Sequence, residues 1–247
     1  MKAFVAIPCY SGEVGALTMI SVIHAIEEAR VAGIDTVVAI RPGDSMLARA
    51  RNAMVADFLA SDATDLIFWD ADIATTPGAF VALLSHDVDV VGGIYRARSD
   101  PERYIFRKLP GGSEVTADNG LIEVDGLGTG FLRIRRSAVD RMMAHFPDLV
   151  VIERDGRRLP WLFDFERRGN EYYSEDIVFC QRFRESGGRI WADPELPFHH
   201  TGQKTFSGCY GAVLGRARAA ATPSSDLEAA QSALDDVLAG FGFTAPR

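Results

Sequence analysis

Cysteine is scarce in this chain: Cys9, Cys180 and Cys209 are the three it has in 247 residues. An odd number, widely spaced and without a CxxC pair, argues against a disulfide framework and against a thiolate zinc site. Long apolar runs are missing too. No segment reaches the roughly 18 uninterrupted apolar residues of a spanning helix. Met1 to Pro8, with one charge and a short apolar stretch, does not fit a secretory signal. A soluble cytoplasmic protein is the expectation, with peripheral contact at a membrane left open. Positive charge is also in short supply. The 26 Lys and Arg against 34 Asp and Glu leave a net charge of −8, which argues against a general nucleic-acid binder but leaves room for a local basic site on one phosphate ligand.

What the chain does have is a core. With 47% hydrophobic residues in 247, it is long enough for one large α/β domain or one domain with an appendage. The first half alternates strands and helices. Ala3 to Ile7 reads as a strand stopped by Pro8, followed by a helix from about Leu17 to Ala32 that Gly33 ends. Thr36 to Ile40 is a second strand closed by Pro42-Gly43, and Ser45 is placed to cap a helix reaching Ala60. Asp65 to Trp69, a helix opened at Pro77, and Val88 to Val91 continue the alternation, which predicts a doubly wound, mostly parallel sheet flanked by helices. The second half is less regular. Short strands are expected at 104–107, 121–124 and 131–134, then a helix at 137–145. A further helix capped by Ser174 reaches 185 or 186. After a small polar linker around Thr222-Pro223-Ser224-Ser225, the Ser225/Glu228 capping pattern and the stripe Leu227, Ala230, Leu234, Val237 and Leu238 predict a helical C-terminal extension. Its apolar stripe suits packing on the domain or on a second copy of the chain. The expected division is 1–221 for the domain and 222–247 for linker and helix.

Several residues break the structural pattern. Asp70-Ala71-Asp72 follows the apolar run Leu66-Ile67-Phe68-Trp69. In an extended segment the two carboxylates share a face about 7 Å apart and ask for a cation; in a turn they are merely solvated. Arg51 falls inside the apolar stripe Leu47, Met54, Val55 and Phe58, so its permanent charge needs a buried anion, either an internal carboxylate or a ligand phosphate. Asn52 beside it can orient a ligand or a loop. Glu175-Asp176 at a helix start suits either the helix dipole or a general base. His199-His200-Thr201-Gly202-Gln203-Lys204 offers an imidazole for a mixed N/O metal site with the aspartates and a lysine for a diphosphate. Gly126-Leu127-Gly128-Thr129-Gly130 precedes a strand rather than opening a helix, so it is a poor dinucleotide fingerprint and better explained by close backbone approach to a bulky ligand.

The order of these features, IPCYSG at 7–12, SMLARARN at 45–52, FWDADI at 68–73, GGIY at 92–95, GTGF at 128–131, SED at 174–176 and HTG at 200–202, resembles the GT-A glycosyltransferases. It looks most like compact bacterial and phage-type members with an SED-x-x-FC-x-R pattern, here Ser174 to Arg182. The resemblance covers roughly residues 3 to 206. It implies a GT-A-like fold and a metal-dependent, hexosyltransferase-type enzyme, of inverting stereochemistry, that moves a sugar from a UDP- or GDP-sugar to a glycan, lipid-linked or protein hydroxyl with Mn2+ or Mg2+. It further implies Pro8 and Tyr10 at the nucleotide base and Arg51, Asn52, Asp70 and Ala71 on the donor. Asp72 and His200, with Asp70, would hold the metal, and Lys204 would face the diphosphate. Gly128, Thr129 and Gly130 would line the sugar and acceptor pocket, and Asp176 would be the base supported by Glu175. Two other classes compete. A sugar nucleotidyltransferase would carry a basic glycine-rich loop near its N-terminus, which Ser11-Gly12-Glu13-Val14-Gly15 is not; a nucleotide-sugar or glycan-binding protein would keep the fold without turnover.

Overall fold

Asp65–Trp69 is buried at every position, as expected of a strand covered by helices on both faces. In the computed structural model, which describes residues 1–111, 115–117, 119–202 and 204–214, this strand pairs in parallel with Lys2–Cys9, and Lys2–Cys9 in turn with the edge strand Asp35–Pro42. On its other side lies Phe131–Arg135, followed by Val90–Gly93, Ile190–Asp193, Ile122–Val124 and Val115–Thr116, to make a sheet of eight strands. Phe131–Arg135 and Ile122–Val124 run against the other six. The architecture is therefore the expected one, α/β with a mostly parallel sheet flanked by helices. The antiparallel Phe131–Arg135 in its middle comes from the chain returning after a long excursion between residues 94 and 130.

Alternation along the strands splits the core in two. Val5, Ile7, Ile67, Trp69 and Val91 face Val22, Ala25 and Ala29 of helix Ala16–Val31 and Phe80, Leu83 and Leu84 of helix Ala79–Ser85. Phe4 and Phe68 point the other way, to Phe58 of helix Leu47–Ala60 and to Phe163, which stacks on Phe179 of helix Glu175–Glu185 at 4.5 Å. Helix Arg136–His145 follows the antiparallel strand directly.

Two local expectations change. Pro8 does not stop the first strand, which continues to Cys9 in register with Arg41 and Pro42. The neighbour on the other side pairs only as far as Ala6, so the hydrogen that proline lacks has no partner to miss there. Ser45 does not cap the second helix: the Asp44 carboxylate accepts the Met46 N–H at 3.2 Å, and Met46 stands at the N-cap. The sequence pattern also missed Ile73–Thr75, which forms a three-stranded antiparallel sheet with Phe198–Thr201 and Thr205–Gly208, and two hairpins, Val150–Ile152 with Arg158–Pro160 and Glu166–Arg168 with Glu171–Tyr173. Strands this short carry too few alternations to stand out from loop. The chain divides into a unit Met1–Tyr210 and a second, Gly211–Arg247. The expected linker and C-terminal helix at 222–247, and the boundary before them, lie outside the described residues. Among those described, no helix is long and apolar enough to cross a membrane.

One contact couples this frame to the strand bearing His200. The ring of Phe198 lies directly over Gly93, so a methyl group added there would overlap it. Gly93→Ala should lower stability by about 1–3 kcal/mol through overpacking, read as a lower urea midpoint at unchanged slope.

Candidate active site

The sheet delivers its functional groups to the carboxyl end of its central strands, where α/β folds bind ligands. Directly after Trp69 the chain turns instead of continuing extended: the Ile73 N–H donates to the Asp70 carbonyl at 3.1 Å and the Trp69 indole to the Ile73 carbonyl at 2.7 Å. Of the two conformations left open for Asp70-Ala71-Asp72, the structure holds the turn, and the two carboxylates are not same-face neighbours on one strand. The turn aims them at different partners.

Asp70 takes the buried cation. Arg51 is 1% exposed; its Nη2 reaches Asp70 Oδ1 at 2.9 Å and its Nε reaches Glu175 Oε1 at 3.3 Å. The apolar stripe thus demanded an anion and received two. Burial opposes the charge of Arg51, but Asp70 and Glu175 outweigh it and hold its pKa above the ordinary value. Glu175 is buried as well; burial, helped by the Asp176 charge, wins against Arg51 and raises its carboxyl. Among the described residues Nη1 of Arg51 is buried with no hydrogen-bond partner. Asn52 points elsewhere: its amide donates to the Phe163 carbonyl at 2.7 Å and accepts the Phe163 N–H at 2.9 Å, so it fixes the loop before the hairpin.

Asp72 takes a different set. Its Oδ2 lies 3.4 Å from His200 Nε2 and 2.8 Å from Arg98. The other ring nitrogen of His200, Nδ1, is 2.9 Å from the Arg96 carbonyl. A carbonyl only accepts, so Nδ1 carries a hydrogen, which leaves Nε2 facing Asp72 as the donor to its carboxylate and as the ring atom a metal ion would take in that donor's place. Burial alone would raise the Asp72 carboxyl, but the His200 hydrogen bond and the His200 and Arg98 charges hold it below the usual range. Two ligands about 2.1 Å from one octahedral cation, at right angles, stand roughly 3 Å apart. The Asp72–His200 pair fits that demand. Among the described residues no group of three His, Cys, Asp or Glu side chains gathers around one point, so these two are what the protein offers, and Asp70 is engaged by Arg51. His199 bonds Ser207 at 2.7 Å instead.

Asp176 opens helix Glu175–Glu185. The Ser174 hydroxyl donates to its Oδ1, as does the Ile177 N–H at 2.8 Å. Ser174 stands at the N-cap but spends its hydroxyl on Asp176 rather than on the helix backbone. Among the described residues Oδ2 of Asp176 has no hydrogen-bond partner.

The glycine run answers to a residue the sequence reading passed over. A side chain at Gly128 or Gly130 would overlap the hydroxyl of Tyr95, which accepts the Gly130 N–H at 3.1 Å. The bulky group these glycines admit is therefore the protein's own, a correction to the ligand expected there; Thr129 between them is buried at 2% exposure. Tyr95 stands edge-on to His200 at 5.5 Å, and burial together with the Asp70 and Asp176 charges pushes its phenol well above the usual value. GGIY at 92–95 was the one signal that pointed to it.

The remaining expected residues divide. Pro8 lies near the end of the first strand and exposed Tyr10 just past it, and Gly15 ties the loop that follows to the turn by donating to the Ala71 carbonyl at 2.7 Å. The structure thus brings Pro8, Tyr10 and Ala71 to the same end of the sheet. Lys204 pairs with Asp100 at 2.5 Å. The cation on Asp72 is Arg98, whose stem crosses Gly202, where a methyl group would come within 3.0 Å of it. A cavity of about 380 Å³ lined by Ile40, Arg41, Asp44 and Arg49 flanks the edge strand and shares no residue with this cluster.

No protein-family model and no curated protein matches the chain. Among solved structures it is similar to A197 from STIV, with 19% identity, a TM-score of 0.50 and coverage of 85% of this chain and 91% of that one. That likeness is one of fold. A Drosophila beta-1,4-galactosyltransferase 7 mutant in complex with manganese, UDP-Gal and xylobiose matches at 14% identity and TM-score 0.45, over 88% of this chain and 74% of that one. GalNAc-T7 with UDP, GalNAc and Mn2+ matches at 13% and 0.47, over 81% and 44%.

Glu175 gives the cluster a pH signature. Its pKa is raised from 4.5 on folding, so its stabilising contribution is complete below that value and is lost as pH rises through the folded value. Glu175→Gln, neutral throughout, should show a smaller fall in urea midpoint than the native protein as pH rises from 4.5.

Proposed function

We propose that the protein is a metal-dependent glycosyltransferase of the GT-A type, moving a sugar from a nucleotide-sugar donor to an acceptor hydroxyl with inversion. The observation that carries this reading is the pairing of Asp72 with a His200 whose Nδ1 is anchored on the Arg96 carbonyl, beside the second carboxylate group of Asp70, Glu175 and Asp176. The ordered motifs from Pro8 to Gly202 support it. Asp72 and His200 would hold Mn2+ or Mg2+. The cation supplies charge stabilisation to the departing nucleoside diphosphate.

The chain's own groups do the rest. Asp176 takes the proton of the acceptor hydroxyl at its open Oδ2, while Ser174 and Ile177 hold Oδ1 and so fix the carboxylate plane. Arg51 orients Asp70, and its unpaired Nη1 is a donor left for the sugar or ribose. Pro8, Tyr10 and Ala71 form the wall for the base. Arg98, rather than Lys204, is the cation set to meet the diphosphate, since it already sits on Asp72. The acceptor would be a glycan, lipid-linked or protein hydroxyl.

A thermal-shift panel of UDP- and GDP-sugars with and without Mn2+ tests the assignment. One donor should stabilise the protein only with the metal present, and Asp72→Ala should abolish the difference; metal-independent stabilisation would overturn the metal site. Because Arg98 competes for the same oxygen, Arg98→Gln should bind Mn2+ alone more tightly, about 3–10-fold by titration, since each 1.4 kcal/mol is tenfold. Asp176→Asn should retain donor binding and lose about 10²–10⁴-fold in transfer. A native protein that binds donor with Mn2+ yet neither transfers nor hydrolyses it would instead be a binding module.

A further inference from the structure

The hairpin Glu166–Arg168 with Glu171–Tyr173 leads straight into Ser174 and the carboxylates of the site. Its two faces are unlike. On one, Glu166 is gripped by Arg182 at 2.7 Å, and the guanidinium groups of Arg107 and Arg168 lie over the ring of Tyr173 at 5.2 and 5.4 Å. Arg182 is itself buried and donates to the Trp161 carbonyl at 2.7 Å. That side is clamped to the domain.

The other face carries two unclamped aromatic rings. Phe165 is 43% exposed and Tyr172 is 69% exposed, and their rings lie nearly parallel, 11° apart with centroids at 6.0 Å. Isolated exposed apolar residues are ordinary, but two rings aligned on an anchored hairpin form a defined surface. By the alternation of a strand, Tyr172 and Ser174 project to the same side. Ser174 is the residue whose hydroxyl holds Asp176 Oδ1. The ring pair and the base are thus linked through two residues of extended chain.

We propose that Phe165 and Tyr172 form the acceptor platform, a stacking surface for a pyranose ring that presents its hydroxyl to Asp176. This deepens the glycosyltransferase reading and rests on it. One face of a pyranose is a patch of C–H groups, slightly positive, and suits the negative π-face of an aromatic ring. Its rim of hydroxyls needs hydrogen-bonding neighbours, which the Tyr172 hydroxyl and Arg167, paired across the hairpin with Tyr172, supply on that face. A lipid chain would want a continuous apolar groove, which this charged hairpin does not offer. The sugar acceptor is therefore the occupant this chemistry favours.

The test uses the full chain, the Phe165→Ala/Tyr172→Ala double variant, and a Phe165→Trp/Tyr172→Trp variant that restores ring surface. The probes are the methyl β-glycosides of glucose, galactose and xylose, with glycerol as an acceptor without a ring. Saturation-transfer NMR should show the C–H protons of at least one glycoside contacting the native protein, with loss in the Ala variant and recovery in the Trp variant. In transfer assays with the donor found above, the Ala variant should raise the glycoside KM about 10-fold while glycerol transfer, donor hydrolysis and kcat stay unchanged. Absence of saturation transfer from all three glycosides, equal contact in native and Ala proteins, or an equal loss with glycerol would overturn the platform. If the native protein contacts a glycoside through these rings but turns over no donor, the platform stands and the transferase reading fails.

Discussion

A guanidinium group with almost no access to water holds this site together. Arg51 joins Asp70, at the end of the central strand, to Glu175, at the start of a helix more than a hundred residues later. Removing one member of such a buried set leaves the others uncompensated, at a cost of about 3–5 kcal/mol. The interaction is therefore directional in what it enforces. Asp70 must sit where Arg51 can reach it, which sends Asp72 to the opposite side of the turn. Glu175 must face inward, which leaves Asp176 beside it facing outward with one oxygen open. The division of the carboxylates into a pair held by Arg51 and a pair left to other partners follows from that one cation.

How much of this was legible in the sequence depends on the range of the interaction. Strands and helices of five or more residues declared themselves by periodicity, since both the pattern and the element are local. Arg51 declared itself as well, because a permanent charge in an apolar stripe requires an anion whatever the fold. Its partners did not, since only the folded sheet brings residues 51, 70 and 175 together. The turn at 70–73 could not be told from extended chain because nothing in Asp-Ala-Asp marks it; the Trp69 indole bond to the Ile73 carbonyl is what closes it. Tyr95 and Arg98 went unnoticed for a related reason. Each acts through a glycine far away in sequence, Gly128 and Gly130 for one and Gly202 for the other, and a glycine reports that something is near without saying what. Lys204 and Asn52 were plausible by composition, yet Asp100 and the backbone of Phe163 engage them first.

Charge balance explains how the carboxylates of the site are held without a cation, and under the proposed function it decides which of them a cation could reach. Asp70 and Glu175 share Arg51, and Asp72 is met by Arg98 and His200. The two cations differ in their freedom. Arg51 is enclosed and cannot leave, whereas the Arg98 side chain is 49% exposed and crosses a glycine that leaves it room. Under the proposed function a divalent ion would take Asp72 from Arg98, and the nucleoside diphosphate would offer the displaced guanidinium new anionic oxygens. In the proposed reaction Arg98 would thus exchange one anion for another, and the exchange would couple metal entry to donor entry. A lysine could not serve as well in both states, because a planar guanidinium engages a carboxylate or a phosphate with two donors at once, whereas an ammonium meets either as a point charge.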